Sequence, residues 1–121
     1  MEFITAEQFL KEDKEVQEIF RNWWFKINEL KIAFKIDFED IIFINGETKK
    51  DIYPLLTEGQ LRKFIEDKIK TKLRIIPTNI GYRIIYLPGK GTDLIDKCYE
   101  GDLLQVYWKV AVQIAKESIK H

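Results

Sequence analysis

Along this chain the spacing of apolar and polar positions changes period several times, and each change marks an element. Thr5 and Gln8 stand at capping-box spacing, with Ile4 and Phe9 placed for a hydrophobic staple across the box. Beyond them, Phe9, Val16, Ile19, Phe20 and Trp23 fall within one arc at about 100° per residue, with Leu10 and Trp24 at its edge. Glu7–Lys11 and Lys11–Glu15 place opposite charges four residues apart on the outer side. The pattern predicts one helix over 6–24. Asp13 supplies the alternative, a cap for a second helix after a break.

From Leu30 the period shortens to two. Leu30, Ile32, Phe34, Ile36 and Phe38 alternate with Lys31, Ala33, Lys35 and Asp37, which predicts a strand buried on one face and wet on the other. Glu39–Asp40 leads into the apolar run Ile41–Ile44, read as a neighbouring antiparallel strand, and Asn45–Gly46 follows as a turn. Thr57 and Gln60 repeat the capping-box spacing, with Leu56 and Leu61 as the staple. Leu61, Phe64, Ile65 and Ile69 then form a helical stripe. Leu73–Ile76 and Tyr82–Leu87 read as two further strands, joined through Pro77–Gly81, and Pro88-Gly89-Lys90-Gly91 closes that pair in a loop. Asp102 is placed to cap a last helix reaching about Lys116–Ile119. Its apolar residues (Leu103, Leu104, Tyr107, Trp108, Val110, Ala111, Ile114, Ala115) cover half the circumference.

The predicted order is therefore α-β-β-α-β-β-α. It implies an α+β fold with an antiparallel sheet of about four strands and helices packed on one face. No linker, repeat or low-complexity run interrupts the pattern, so residues 1–121 read as a single domain.

Composition narrows the class. Of 121 residues, 45% are apolar and 33% charged, with 20 basic and 20 acidic side chains, a balance that supports a packed core rather than disorder. No run approaches the roughly 20 apolar residues of a bilayer-spanning helix, and the start lacks a basic-then-apolar leader. Cys98 is the single cysteine, so no internal disulfide framework is available and a cytoplasmic location is expected. Residues 30–90 are mildly basic and residues 1–29 mildly acidic, too weak a contrast to mark a nucleic-acid footprint.

Catalytic side chains are scarce. General acid–base and nucleophilic mechanisms need a tunable group beside a partner, yet the one histidine is His121 at the terminus and the one serine, Ser118, lies in the last helical turn. The sequence thus predicts no enzyme, no catalytic residues, no metal site and no cofactor. Carboxylates at Asp37/Glu39/Asp40, Glu66/Asp67 and Asp93/Asp96 keep Mg²⁺ chemistry open, with turn formation and surface charge as the plainer readings. Gly89-Lys90-Gly91-Thr92 lacks the four residues a phosphate loop places between its glycines.

Two groups of residues are candidates for binding. Trp23-Trp24-Phe25 cannot all enter one helical stripe, because neighbours point about 100° apart. Trp24 and Phe25, together with Trp108 and Val112 at the edge of the last helix, are therefore candidate contacts for a protein partner, with burial, for the first pair under the loop to Leu30, as the plainer reading. The basic stretch Arg62, Lys63, Lys68, Lys70, Lys72 and Arg74, with Arg83 on the next strand, is the candidate nucleic-acid surface; the plainer reading is the solvated side of a half-buried sheet.

Three blocks, Asp13–Trp24 (DKEVQEIFRNWW), Pro54–Lys68 (PLLTEGQLRKFIEDK) and Asp102–Lys116 (DLLQVYWKVAVQIAK), resemble small uncharacterised proteins of phages and prophages from low-GC Gram-positive bacteria. The resemblance implies phage origin and brings no site residues with it. A usage of 19 Ile and 16 Lys against 4 Arg suits an A/T-rich genome of that kind. The expectation is a non-enzymatic accessory protein acting by protein–protein contact. A nucleic-acid-associated factor using 62–83, or a minor virion or assembly component, are the alternatives. No membrane partner is expected.

Overall fold

A computed structural model describes residues 2–27, 31–35, 40–44, 52–88 and 93–119. Within them run α1 (Ala6–Leu10), α2 (Lys14–Lys26), β1 (Lys31–Lys35), β2 (Asp40–Ile44), β3 (Ile52–Pro54), α3 (Glu58–Ile69), β4 (Arg74–Pro77), β5 (Gly81–Tyr86), β6 (Ile95–Glu100) and α4 (Leu103–Ile119). The fold is α+β, as expected. Its strands form two three-stranded antiparallel sheets, in the orders β2-β1-β3 and β4-β5-β6, instead of one sheet of four. The expected readings of Leu30, Ile36–Phe38, the Asn45–Gly46 turn, the Gly89–Gly91 loop and His121 lie outside the described residues. The chain divides into two compact units, Met1–Thr57 with Ala115–His121, and Glu58–Ile114.

In the first unit the Thr5 capping box forms as its spacing predicts: Gln8 N–H donates to Thr5 Oγ1 at 3.2 Å and Thr5 N–H to Gln8 Oε1 at 3.4 Å. Ile4 and Phe9, the staple pair, are fully buried. The helix over 6–24 is in fact two helices. After α1, Asp13 takes an extended conformation (φ −58°, ψ 150°) and α2 begins anew. Gln17 sustains this break, its side-chain amide donating to the Glu12 carbonyl at 2.9 Å and the Leu10 carbonyl at 3.4 Å.

The break also changes which tryptophan is buried. Phased on its own start, α2 buries Val16, Phe20 and Trp24 at four-residue steps, leaving Trp23 and Ile19 half-buried. Extending a single helical phase from Phe9 across residues 11–13 rotates the stripe towards Trp23, which is why sequence periodicity favours the wrong ring. Phe9 packs on Phe20 and Tyr53 with ring centroids 6.4 and 6.0 Å apart.

β1 is the central strand of its sheet, with Ala33 opposite both Ile42 of β2 and Pro54 of β3. Strict alternation predicts a wet face at Lys31 and Ala33, yet both are buried along with Ile32. Lys31 Nζ donates to the Phe25 carbonyl at 3.1 Å, near the end of α2, and lies 5.4 Å from the Trp24 ring centroid. An ammonium that reaches a helix-terminal carbonyl and an aromatic face exchanges some of its hydration for those contacts, and so enters the interior.

In the second unit α3 buries Leu61, Phe64, Ile65 and Ile69, the predicted stripe, together with Gln60. β5 sits between β4 and β6, with Ile84 opposite Ile75 on one side and Lys97 on the other. Gly81 allows this pairing. A Cβ there would overlap the Tyr99 carbonyl oxygen, which belongs to rigid backbone. β3 and β6 are strands the sequence pattern misses. β3 has three residues ending in Pro54, and β6 (IDKCYE) has polar residues on both faces. Asp102 caps α4 as predicted, accepting from Gln105 N–H at 2.9 Å. α4 buries Val106 and Val112 in addition to most of its predicted half-circumference. Among the described residues no helix is long and apolar enough to cross a membrane.

Candidate functional site

The expected aromatic contact surface is not at the surface. Trp24 is 0% exposed, Trp108 6% and Val112 8%. Phe25 is half-buried, its ring 5.4 Å from that of Trp24 and covered by the Arg21 guanidinium at 5.6 Å. For Trp108 and Val112 the cause is the breadth of the buried face of α4, which leaves no apolar edge there. Trp24 is buried because α2 restarts at Lys14.

The basic candidates separate into two places. Arg62, Lys63 and Lys72 gather beside α3, while Arg74 and Arg83 lie on the β4-β5-β6 sheet. Beside α3 the organising group is the Glu66 carboxylate. Its Oε2 accepts from Leu73 N–H at 2.9 Å and from Arg62 Nε at 3.5 Å, and its Oε1 lies 3.5 Å from Lys72 Nζ. Arg62 completes the arrangement by donating Nη2–H to the Leu73 carbonyl at 3.2 Å. One backbone residue is thus held on both its polar groups by side chains from a single face of α3. This fixes the start of β4 against the helix that precedes it. Burial pushes the Tyr107 hydroxyl above its ordinary value, partly offset by the neighbouring Arg62. Gly59, Arg62, Lys63, Glu66, Asp67 and Lys72 line a half-open cleft of about 350 Å³.

On the sheet, register places Arg74 opposite Ile85 and Arg83 opposite Ile76 and Cys98, so the two arginines share a face diagonally. That shared face was expected. Arg83 is not available to a ligand at no cost, because its guanidinium forks onto Asp96, with Nε–Oδ1 at 2.8 Å and Nη2–Oδ2 at 2.5 Å. Asp96 holds the Arg83 guanidinium above its ordinary value, and Arg83 in turn holds the Asp96 carboxyl below its own. Among the candidate carboxylates, Glu66 and Asp96 therefore serve as partners to bases. Asp37 and Glu39 lie outside the described residues. No group of three or more His, Cys, Asp or Glu side chains is close enough to hold a metal among the described residues.

What the sequence reading missed is apolar and sits at the ends of the same sheet. Leu87 and Leu94 follow directly on Tyr86↔Ile95, the last pair of the β5–β6 ladder, and are 51% and 59% exposed. Ile80, in the β4–β5 connection, is 67% exposed, and Ile76 lies on the arginine face. Leu87 reads from sequence as the end of a strand and Leu94 falls in no predicted element, so neither stands out. Their exposure follows from the ladder ending one step short of them. Cys98 is a free, exposed thiol on β6. Comparison with protein-family models, with curated proteins and with solved structures gives no match to this chain.

Proposed function

We propose that this chain is a phage- or prophage-encoded accessory protein that works by binding another protein, with the Leu87/Leu94 end of the β5–β6 hairpin as the contact. The observation that carries this reading is the exposure of those two leucines, each one residue beyond the last pair of an ordered ladder. Large apolar side chains left in water together cost solvation and are a common feature of contact surfaces. Placement on a hairpin supports the reading further, since loops carried by a paired scaffold present contacts with little ordering cost. Phage origin rests on the three sequence blocks named above.

The nucleic-acid reading has less support. The basic candidates divide between the α3 cleft and the β4-β5-β6 sheet, and on the sheet Arg83 is forked onto Asp96, so binding a nucleic-acid backbone there competes with a pair already formed.

The test is site-specific photo-crosslinking in the bacterial host, with the photoreactive residue at 87, at 94 or, as control, at the exposed Glu18 of α2. A discrete adduct from 87 and 94, absent from 18, is expected. Equal yields from all three positions, or none from 87 and 94, would reject the assignment.

A further inference from the structure

α3 carries a second feature, independent of the leucine surface. Gly59, Arg62, Lys63, Glu66 and Asp67 recur at three- and four-residue steps, so they form one stripe along the helix, opposite the buried Leu61, Phe64, Ile65 and Ile69. With Lys72 from beyond the helix end they enclose the cleft described above, whose volume lies at the lower end for small-ligand sites. Three cationic side chains converge on this one cavity from two segments. One of them is fixed: Arg62 is anchored by the Leu73 carbonyl and Glu66. Another is adjustable: Lys72 is 88% exposed and held to Glu66 only at 3.5 Å, a surface pair that a better anion can displace. Glu66 itself opposes an incoming anion weakly, because its charge is already shared among Leu73 N–H, Arg62 and Lys72.

Gly59 is the telling position. Its φ is not in the left-handed region, and a Cβ placed on it would meet no atom within 4 Å. Neither backbone conformation nor packing requires glycine there, in the first turn of the helix, where alanine would also fit. What the missing side chain does provide is open space on the wall of the cleft.

We propose that this cleft binds a small phosphate-bearing anion, with Lys63 and Lys72 as its ammonium contacts and Arg62 as the fixed guanidinium. A doubly charged phosphate gains from two ammonium groups at once, where a monocarboxylate gains from one.

The test is an amide NMR titration of the full chain at constant ionic strength with inorganic phosphate, adenosine monophosphate and acetate. Saturable shifts at Gly59, Lys63 and Lys72 are expected with both phosphates, at least tenfold weaker with acetate. Gly59→Leu should fold normally and abolish the response, and the Lys63→Ala/Lys72→Ala pair should weaken it at least tenfold. Tighter binding of the nucleotide than of free phosphate would identify a nucleotide-type ligand, and equal binding would identify the phosphate group alone. Equal response to acetate, or a response that survives both variants, overturns the site. Leu87→Ser/Leu94→Ser should leave the titration unchanged, so failure here and failure of the partner surface are separately readable.

Discussion

In the β2-β1-β3 sheet the central strand is buried at three successive residues, Lys31, Ile32 and Ala33, so that both its faces are covered at that end. In the β4-β5-β6 sheet Ile84 is the one fully buried strand residue among those described, and most of β4 and β6 faces water. The two sheets share strand number and antiparallel pairing, yet the central strand of one enters the core while the other sheet is mostly surface. Burial on both faces leaves β1 no room for polar alternation to be wet; its lysine has to find partners in the interior. Exposure on both faces leaves β6 free to be charged, and leaves the hairpin ends free to carry apolar residues about half of whose surface faces water. Stability should therefore be concentrated in the first sheet and its helices, and contact with other molecules in the second.

The largest effects should come from the buried region. Trp24→Ala removes a fully buried ring at the centre of the α2 stripe and should cost about 3–5 kcal/mol in chemical denaturation. Lys31→Glu, which turns a carboxylate towards the Phe25 carbonyl, should cost a similar ~3–5 kcal/mol. A loss near zero would mean that the α2 stripe, for Trp24, or β1, for Lys31, is not buried as described.

Next comes the one place where the surface sheet is intolerant. Gly81→Ala drives a methyl group into the Tyr99 carbonyl and should cost about 1–3 kcal/mol, read as a lowered denaturation midpoint. A change in the opposite direction is expected just after α3. Lys70 sits at φ 63°, the left-handed conformation that closes the helix through its N–H to the Glu66 carbonyl at 3.0 Å. Lys70→Gly should stabilise by about 1 kcal/mol, since glycine adopts that conformation without the Cβ penalty.

The helices and their caps were legible in the sequence because Thr5/Gln8, Asp102 and the stripes at Leu61–Ile69 and Leu104–Ala115 act locally: spacing alone specifies them. The first ββ pair, β1 with β2, and the pair β4 with β5 were legible for the same reason. Whatever depended on a neighbour distant in sequence was not. The α1–α2 break rests on Gln17 reaching back to carbonyls, and the burial of Lys31 rests on the end of α2. β3 and β6 owe their strand conformation to β1 and β5, not to their own alternation. Whether a binding candidate is exposed was not legible locally either. Aromatic and basic residues stand out by type, but Trp24, Trp108 and Arg83 already have partners in the fold, while the exposed Leu87 and Leu94 look ordinary until the ladder is seen to stop before them.

The smallest effects should come from the exposed sheet. Because Arg83 holds the Asp96 carboxyl below its ordinary value of 3.8, the ion pair contributes above that pH and loses its contribution as pH falls through the lowered value. Asp96→Asn should remove that part of the acid dependence while scarcely moving the melting temperature at neutral pH, and added salt should weaken the wild-type pair. Leu87→Ser and Leu94→Ser should each change stability by no more than about 0.5 kcal/mol, as expected of exposed positions.

The most direct test of the division between core and contact surface is to measure both properties on one variant, Ile80→Ser/Leu87→Ser/Leu94→Ser. Its melting temperature should stay within a few degrees of the parent, while the partner complex crosslinked from a photoreactive residue at the exposed Asp93, beside position 94, disappears. Loss of folding would show that these residues belong to the core. A folded variant that keeps the complex would show that the hairpin end is not where the protein binds.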